Sequence, residues 1–558
     1  MKKTAILLAI FLLIISASSC GTPSADGTSV QNIRPESIGV MSINGLNGQI
    51  FISLARPSDG KCSVYYRTAG DGEYSALDSE LILSEGSVLE CHILGLSKGL
   101  YDVMIEEGEG DSLARVFYFG IDVADRDTSG YAHFGRTDGI GGYSSDGTLK
   151  DGARVVYISN ANKNSVTLES GGRTYTGLSE ILNGCGQIVE PLVIRVLDRI
   201  STNQWISADP GSRSEEPDDA ENGYFEDRFS DEFGENIAGM PVSVFYSGTG
   251  TRYDFVTSAD GIVYSGTSSG ADSDGCRMNV ISSEGAKDIT IEGVGRNAGF
   301  FQAGLEFLES DSVEIRNLTF EGYPQDALRF SCSDIASSHG GYWIHGNTFL
   351  AGYNNWGTGE KNGGDPVEVS NATGVTVSYN RVQGTSKGLM FGEEEGGACM
   401  NVTVHHNLFR DVMQRIPFCM NSNIHLYNNY FRDCRRGASP RSETYMFLEA
   451  NYYLGVDSPF SFSSYGGTST VKSFGDVYKD GGDPRSVRIA ENRTDPAGGS
   501  CMPDGKTDCS EFDTDPELFY FDEAGGRSDV VVLLDAADVP GFVETYSGAG
   551  VFARIDLK

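Results

Sequence analysis

The chain has 558 residues, 39% hydrophobic, 22% charged and 10% aromatic, a globular composition that excludes both a disordered chain and a membrane bundle. Glycine is enriched, with 71 residues, or about one in eight against a usual level of roughly 7%; with no Gly-X-Y period, this points to a turn-dense, β-rich fold. Lysine plus arginine number 42 and aspartate plus glutamate 78, and the resulting formal charge of −36 leaves no electrostatic footprint for nucleic acid, whose binding rests on basic groups at phosphates.

Lys2 and Lys3 precede an apolar run from Ala5 to Ile15, followed by small residues and Cys20. The run is too short for a spanning helix of about 20 residues and reads as an export signal. It resembles bacterial lipoprotein signals. That implies a signal peptide over 1–19, a lipid on Cys20, and a membrane anchor at the outer membrane or cell surface; plain secretion is the alternative. Residues 20–35 are small and polar, a tether. Residues 36–122 carry seven short runs of β-branched and aromatic residues separated by turn dipeptides, which predicts a small β-sandwich. The stretches VYYR and KGLYDVMIE resemble a fibronectin type III or immunoglobulin-like module, and no catalytic constellation appears there. Ten cysteines follow Cys20. In an oxidising compartment Cys501–Cys509 is the first candidate disulfide and Cys62–Cys91 the second, with buried free thiols expected elsewhere.

Residues 206–236 form an acidic stretch without useful apolar periodicity, expected to be a solvated insertion rather than a calcium loop. From about residue 287 the chain repeats: DITIEGVG, SVEIRNLTF, YWIHGNTF, GVTVSYNRV, NVTVHHNLF and NIHLYNNYF. Each is a short alternating strand, and from the second onward each carries an asparagine: Asn317, Asn347, Asn380, Asn407 and Asn429. One strand pattern recurring every few tens of residues means stacked coils, because a single coil cannot bury its own apolar face. The predicted fold is all-β: a parallel β-helix over 125–555, pinned by an asparagine ladder at a bend, behind the small N-terminal sandwich. His405, His406 and His425 invite a metal reading, but stacking positions in the coils are expected.

Taken in order and register, GAKDITIEGVG, VEIRNLTF, VTVSYN, SKGLMFG, VTVHHNLFRDVMQRIP and NIHLYNNYF resemble the pectate lyase family. The similarity extends upstream to HFGRTDGIGGYSSDG and downstream to VETYSGAGV. The resemblance implies a right-handed parallel β-helix and calcium-assisted β-elimination of polygalacturonate (pectate) or a related polyuronate; a monomer is expected. Carried over position by position, Arg415 in QRIP matches the catalytic arginine and Lys387 in TSKGLMFG the lysine that contacts a substrate carboxylate. Asp326 in PQDALRF matches a calcium ligand. Glu368 falls where an aspartate is usual, with Asp365 three residues before it, so Asp326, Asp365 and Glu368 are the implied Ca2+ ligands. The chain departs from the family pattern at Pro324, Gly364, His345-Gly346, Ser386 and Met420, the last in place of a second arginine.

The chemistry accounts for these residue types. Elimination removes the C5 proton beside the C6 carboxylate, which requires that charge to be neutralised and a base to be poised at C5. Calcium accepts a sparse set of oxygen ligands, and arginine serves as the base only where surrounding positive charge and burial favour its neutral form. Each residue has a structural alternative: a local pair with Asp411 for Arg415, a solvated loop for Lys387, a turn cap for Asp326 and a solvent-facing strand position for Glu368. At the level of function, the alternatives are a noncatalytic glycan-binding or adhesin lipoprotein and a glycoside hydrolase, which would need paired carboxylates at hydrolase separation.

Overall fold

The computed structural model describes residues 38–57, 62–110, 113–201, 242–246, 252–257, 263–267, 280–301, 303–323, 326–335, 339–350, 364–393, 397–461, 469–482 and 533–556. The signal, Cys20, the tether, the acidic stretch, Pro324, Cys501 and Cys509 lie outside these. Among the described residues no helix is long and apolar enough to cross a membrane.

All seven N-terminal runs are strands. They are β1 (Val40–Gly45), β2 (Gln49–Ala55), β3 (Cys62–Thr68), β5 (Ile82–Glu85), β6 (Val88–Leu94), β7 (Gly99–Glu107) and β8 (Ala114–Val123), with a two-residue β4 (Ser75–Ala76) between β3 and β5. They form two antiparallel sheets, β1-β2-β6-β5 and β4-β3-β7-β8. Period-two alternation turns Ile50, Ile52, Leu54 and Ile93 of one sheet toward Val64, Val103 and Ile105 of the other, giving one buried core. Cys62 and Cys91 lie on facing sheets of this sandwich, on β3 and β6. The expected bridge is replaced by two free thiols. Cys185, Cys332, Cys399, Cys419 and Cys434 are also free and buried.

The rest is a parallel β-solenoid with three long faces, an eight-stranded, a ten-stranded and a nine-stranded sheet. A complete coil contributes one strand to each face: in one coil Gly304–Leu308, Asp311–Arg316 and Thr319–Glu321, and in the next Leu328–Ser331, Gly340–His345 and Thr348–Leu350. The apolar positions of successive coils stack inside, as in Phe300, Phe320 and Phe349 (5.5 and 5.4 Å between ring centroids) and Phe409, Phe431 and Tyr453 (5.1 and 4.4 Å).

The bend between the ten- and nine-stranded faces repeats in seven successive coils. One residue takes a left-handed conformation there: Asn317, Gly346, Tyr379, His406, Asn428, Ala450 and Gly475 in turn. The next residue enters the ladder. Asn347 Nδ2 donates to Asn380 Oδ1 (3.1 Å), Asn380 to Asn407, Asn407 to Asn429 and Asn429 to Asn451 (3.0 Å each), and Asn451 to Asp476 (2.9 Å). Asn317 is a correction to the sequence reading. It holds the left-handed slot, Leu318 holds the ladder position, and the Leu318 amide donates to Asn347 Oδ1 at 3.0 Å.

Two further pieces close the molecule. The helix Val539–Tyr546 lays Val539 and Val543 on Leu408 and Tyr430 of the nine-stranded face. The chain after it then runs to the sandwich, where Phe552 stacks on Phe51 at 4.5 Å and Asn47 brackets Ile555 with two hydrogen bonds.

Candidate active site

The eight-stranded face carries the candidate chemistry. Alternation along its strands buries Val367 and Val369 and turns Glu368 outward. Parallel register then aligns Glu306, Arg329, Glu368, Met390 and Phe418 in one row across five coils. Arg329 links this row, with Nη1 3.5 Å from Glu306 Oε1 and Nε 3.4 Å from Glu368 Oε1.

A second row lies at the bend leading into these strands. Asp326 precedes Leu328–Ser331 by two residues, Asp365 precedes Val367–Ser370 by two, and Lys387 precedes Leu389–Phe391 by two. Gln414, next to Arg415, bridges Lys387 in parallel. The sequence intervals between these residues differ widely, yet the coils bring them to one edge of one face. Asp326, Asp365 and Glu368 present carboxylate oxygens within 4.8 Å of one another, a set that could hold a metal ion. Arg415 Nη1 donates to Asp365 Oδ2 at 2.7 Å, so its ion pair reaches a residue on another coil. Lys387 is buried rather than a solvated loop residue. Asp326 Oδ1 accepts the Asp365 amide at 2.7 Å.

These acids are electrostatically strained. Burial, then the neighbouring Asp365, pushes the Asp326 carboxyl up to about 6, with the Asp365 amide, Arg329 and Lys387 pulling the other way. Burial, then Asp326 and Asp365, pushes Glu368 well above the usual carboxylate range. A cation placed among these crowded carboxyl groups favours the charged forms of Asp326 and Glu368. Oxygen ligands from three acids suit a hard divalent ion, so the residues present fit calcium.

Several contributors escaped the sequence reading. Arg329 and Glu306 were not singled out, because their partnership depends on coil register. Phe418 lies under two guanidinium groups, Arg415 at 5.3 Å and Arg441 at 5.2 Å from the ring centroid. Met420, where a second arginine was sought, is buried, and Arg441 brings positive charge to the same neighbourhood from the next coil.

The histidines sit elsewhere, as stacks. His405 lies on Tyr427 (4.8 Å, 2° between planes), His406 on Tyr379 (5.0 Å, 6°) and His425 on Phe447 (5.0 Å, 11°). Asp127, His405 and His406 do bring donor atoms within 4.8 Å of one another. There, however, the two imidazoles contact each other Nδ1 to Nδ1 at 2.8 Å, and Asp127 accepts from Tyr379 and Ser129. His345, in the family-variant position, stacks on Trp343 and contacts Glu314 at 3.0 Å.

Residues 257–465, which contain all five acid and base candidates, match the family model described as pectate lyase. The similarity to the pectate lyase family is carried by this segment. Among curated relatives, the chain is 28% identical over 180 residues to pectate lyase 2 of Pectobacterium carotovorum, covering 32% of this chain and 48% of that protein. It is 29% identical over 188 residues to pectate lyase B of Dickeya chrysanthemi, covering 33% and 49%. The chain thus spans about half the length of the curated relatives it matches. A solved pectate lyase from Bacillus sp. N165 in complex with trigalacturonate aligns at 17% identity and a TM-score of 0.46, over 76% of this chain and 99% of that one.

Proposed function

We propose that this protein is a calcium-dependent polysaccharide lyase that cleaves polygalacturonate or a related polyuronate by β-elimination. One observation carries the reading: Asp326, Asp365 and Glu368 converge within 4.8 Å beside Lys387 and Arg415, on one face of a solenoid whose residues 257–465 match the pectate lyase family model. In the proposed chemistry, Asp326, Asp365 and Glu368 would hold calcium, which would supply charge neutralisation of the uronate and a more acidic C5 proton. Lys387 binds a uronate carboxylate. Arg415, aimed from the next coil, takes the C5 proton, and the electron pair left behind expels the C4 glycosidic oxygen.

The decisive experiment incubates the purified chain lacking its first 20 residues with polygalacturonate, with calcium and then with excess chelator. A UV-absorbing unsaturated uronide that disappears with chelator and returns with calcium is expected. New reducing ends without UV absorbance would instead mean hydrolysis. Binding without turnover would mean a glycan-binding β-helix, and either result rejects the lyase reading.

For location, we propose an exported lipoprotein anchored through Cys20, acting as a monomer. The motivation is the short apolar run ending in small residues and Cys20. Cys20→Ser should move the protein from the membrane fraction to the soluble one, whereas unchanged partitioning would reject the anchor.

A further inference from the structure

The three acids differ in what holds their charge. Asp326 accepts the backbone amide of Asp365, Glu368 is paired with Arg329 from the same row, and Asp365 is paired with Arg415, the proposed base, at 2.7 Å. The Asp365 side chain is 2% exposed and that of Arg415 25%, so the bond bridges from the buried floor of the site to its open edge. A guanidinium donating to Asp365 Oδ2 holds one of the two oxygens of a carboxylate in the acid trio and sets a positive charge beside any metal placed there. Two cations at one carboxylate, in a place with little water to screen them, repel each other strongly.

We infer that Arg415 and a divalent cation compete for Asp365, so that loading the acid trio releases the Arg415 guanidinium into the groove. The inference rests on reading the trio as a divalent-cation site. The backbone around Arg415 is pinned: its carbonyl accepts the Leu389 amide at 2.7 Å, and the next amide, of Ile416, donates to the Gly437 carbonyl at 3.2 Å. Release is therefore a swing of the side chain alone. The alternative contacts are already in place, with Met390 Sδ 3.4 Å from Arg415 Nη1 and the Phe418 ring beneath the guanidinium. The arginine is thus stored as an internal counter-ion while the site lacks metal, and it becomes available as a base only when the metal that activates the substrate has bound. Asp365, next to Gly364 at which the chain departs from the expected family pattern, is the residue that couples the two events.

Linkage requires that whatever the cation spends in displacing Arg415 be missing from its affinity. Removing a charge-assisted hydrogen bond of this kind should then tighten calcium binding by roughly tenfold or more. The test is calorimetric calcium titration of the parent and Arg415→Ala, each first shown to melt at a similar temperature, together with a crystal structure of the calcium-loaded parent. The expected results are tighter calcium binding by Arg415→Ala and, in the loaded crystal, an Arg415–Asp365 separation beyond hydrogen-bond reach. Equal or weaker binding by the variant overturns the inference, as does an intact Arg415–Asp365 bond beside bound calcium; in both cases the lyase reading still stands or falls on the uronide assay. If neither protein binds calcium, the inference is also overturned, and the chelator arm of that assay decides the metal's part in the reaction.

Discussion

Arg415 combines a fixed backbone with a movable head. Its φ of 62° lies in the left-handed region, which a side-chain-bearing residue adopts only when its surroundings compensate. That conformation aims the side chain across the coils at Asp365. Replacement by lysine keeps the charge but loses the planar fork. Arg415→Lys should therefore lower turnover by about a thousandfold or more while apparent substrate affinity changes only a few-fold, the pattern of an interaction made in the transition state. Initial rates over a range of polygalacturonate concentrations check this, and near-parental turnover would move the base assignment to Lys387. Motif strings in the sequence mark Asp326, Asp365, Glu368, Lys387 and Arg415 as candidates, and the fold brings them to one edge of one face. Their contacts were not legible in the sequence. The Arg415–Asp365 pair spans 50 residues and the Arg329–Glu368 pair 39, distances over which only coil geometry decides who meets whom. Sequence alone therefore offered local partners such as Asp411.

At the scale of the coil, two adjacent positions divide the work at each bend. The left-handed residue turns the chain, and the following asparagine satisfies the backbone groups that the turn strands. Asn407 Nδ2, for example, donates to the carbonyls of Val377 and His405 as well as to Asn429. Period-two alternation made the strands legible, but it could not separate these two bend positions, which is why Asn317 was placed in the ladder one residue out of phase. At the far end Asp476 takes the asparagine's place, with Oδ1 accepting from Asn451 and Oδ2 accepting from Ser473 Oγ at 2.6 Å. Burial pushes its carboxyl up to about 7, with those hydrogen bonds opposing. A carboxyl raised in the folded state binds its proton more tightly there than in the unfolded chain, so this group's stabilisation is present below about pH 4 and is lost as pH rises to about 7. Asp476→Asn preserves the acceptor for Asn451 and removes the titration. Its thermal midpoint should match the parent's near pH 4 and exceed it at pH 8, by at most about 4 kcal/mol in stability. A constant gap between the two proteins across that range would dissociate Asp476 from the pH dependence.

For the whole molecule, architecture and charge pull in different directions. The sandwich and the chain after the C-terminal helix are clamped together: Arg296 of the solenoid reaches Glu90 at 2.9 Å, and Phe552 covers Phe51. The acid trio and its arginines lie on the separate eight-stranded face. That face gathers Arg329, Lys387, Arg415 and Arg441, yet the chain as a whole carries −36, and the proposed substrate is itself a polyanion. At low ionic strength the long-range field of the molecule repels the approaching chain, while the attraction from the groove acts only at contact. Salt screens the first far more than the second, because the Debye length falls from about 30 Å at 0.01 M to about 10 Å at 0.1 M, well short of the molecule's dimensions. At fixed saturating calcium, kcat/KM on polygalacturonate should therefore rise severalfold as sodium chloride is increased from about 10 to about 150 mM, and then fall as contact pairs are screened in turn. The rise should appear in kcat/KM with little change in kcat, since it reports encounter rather than chemistry. A monotonic fall from the lowest salt onward would show that the local field of the four basic side chains already dominates approach, and that the surrounding acidity is electrostatically remote from the groove.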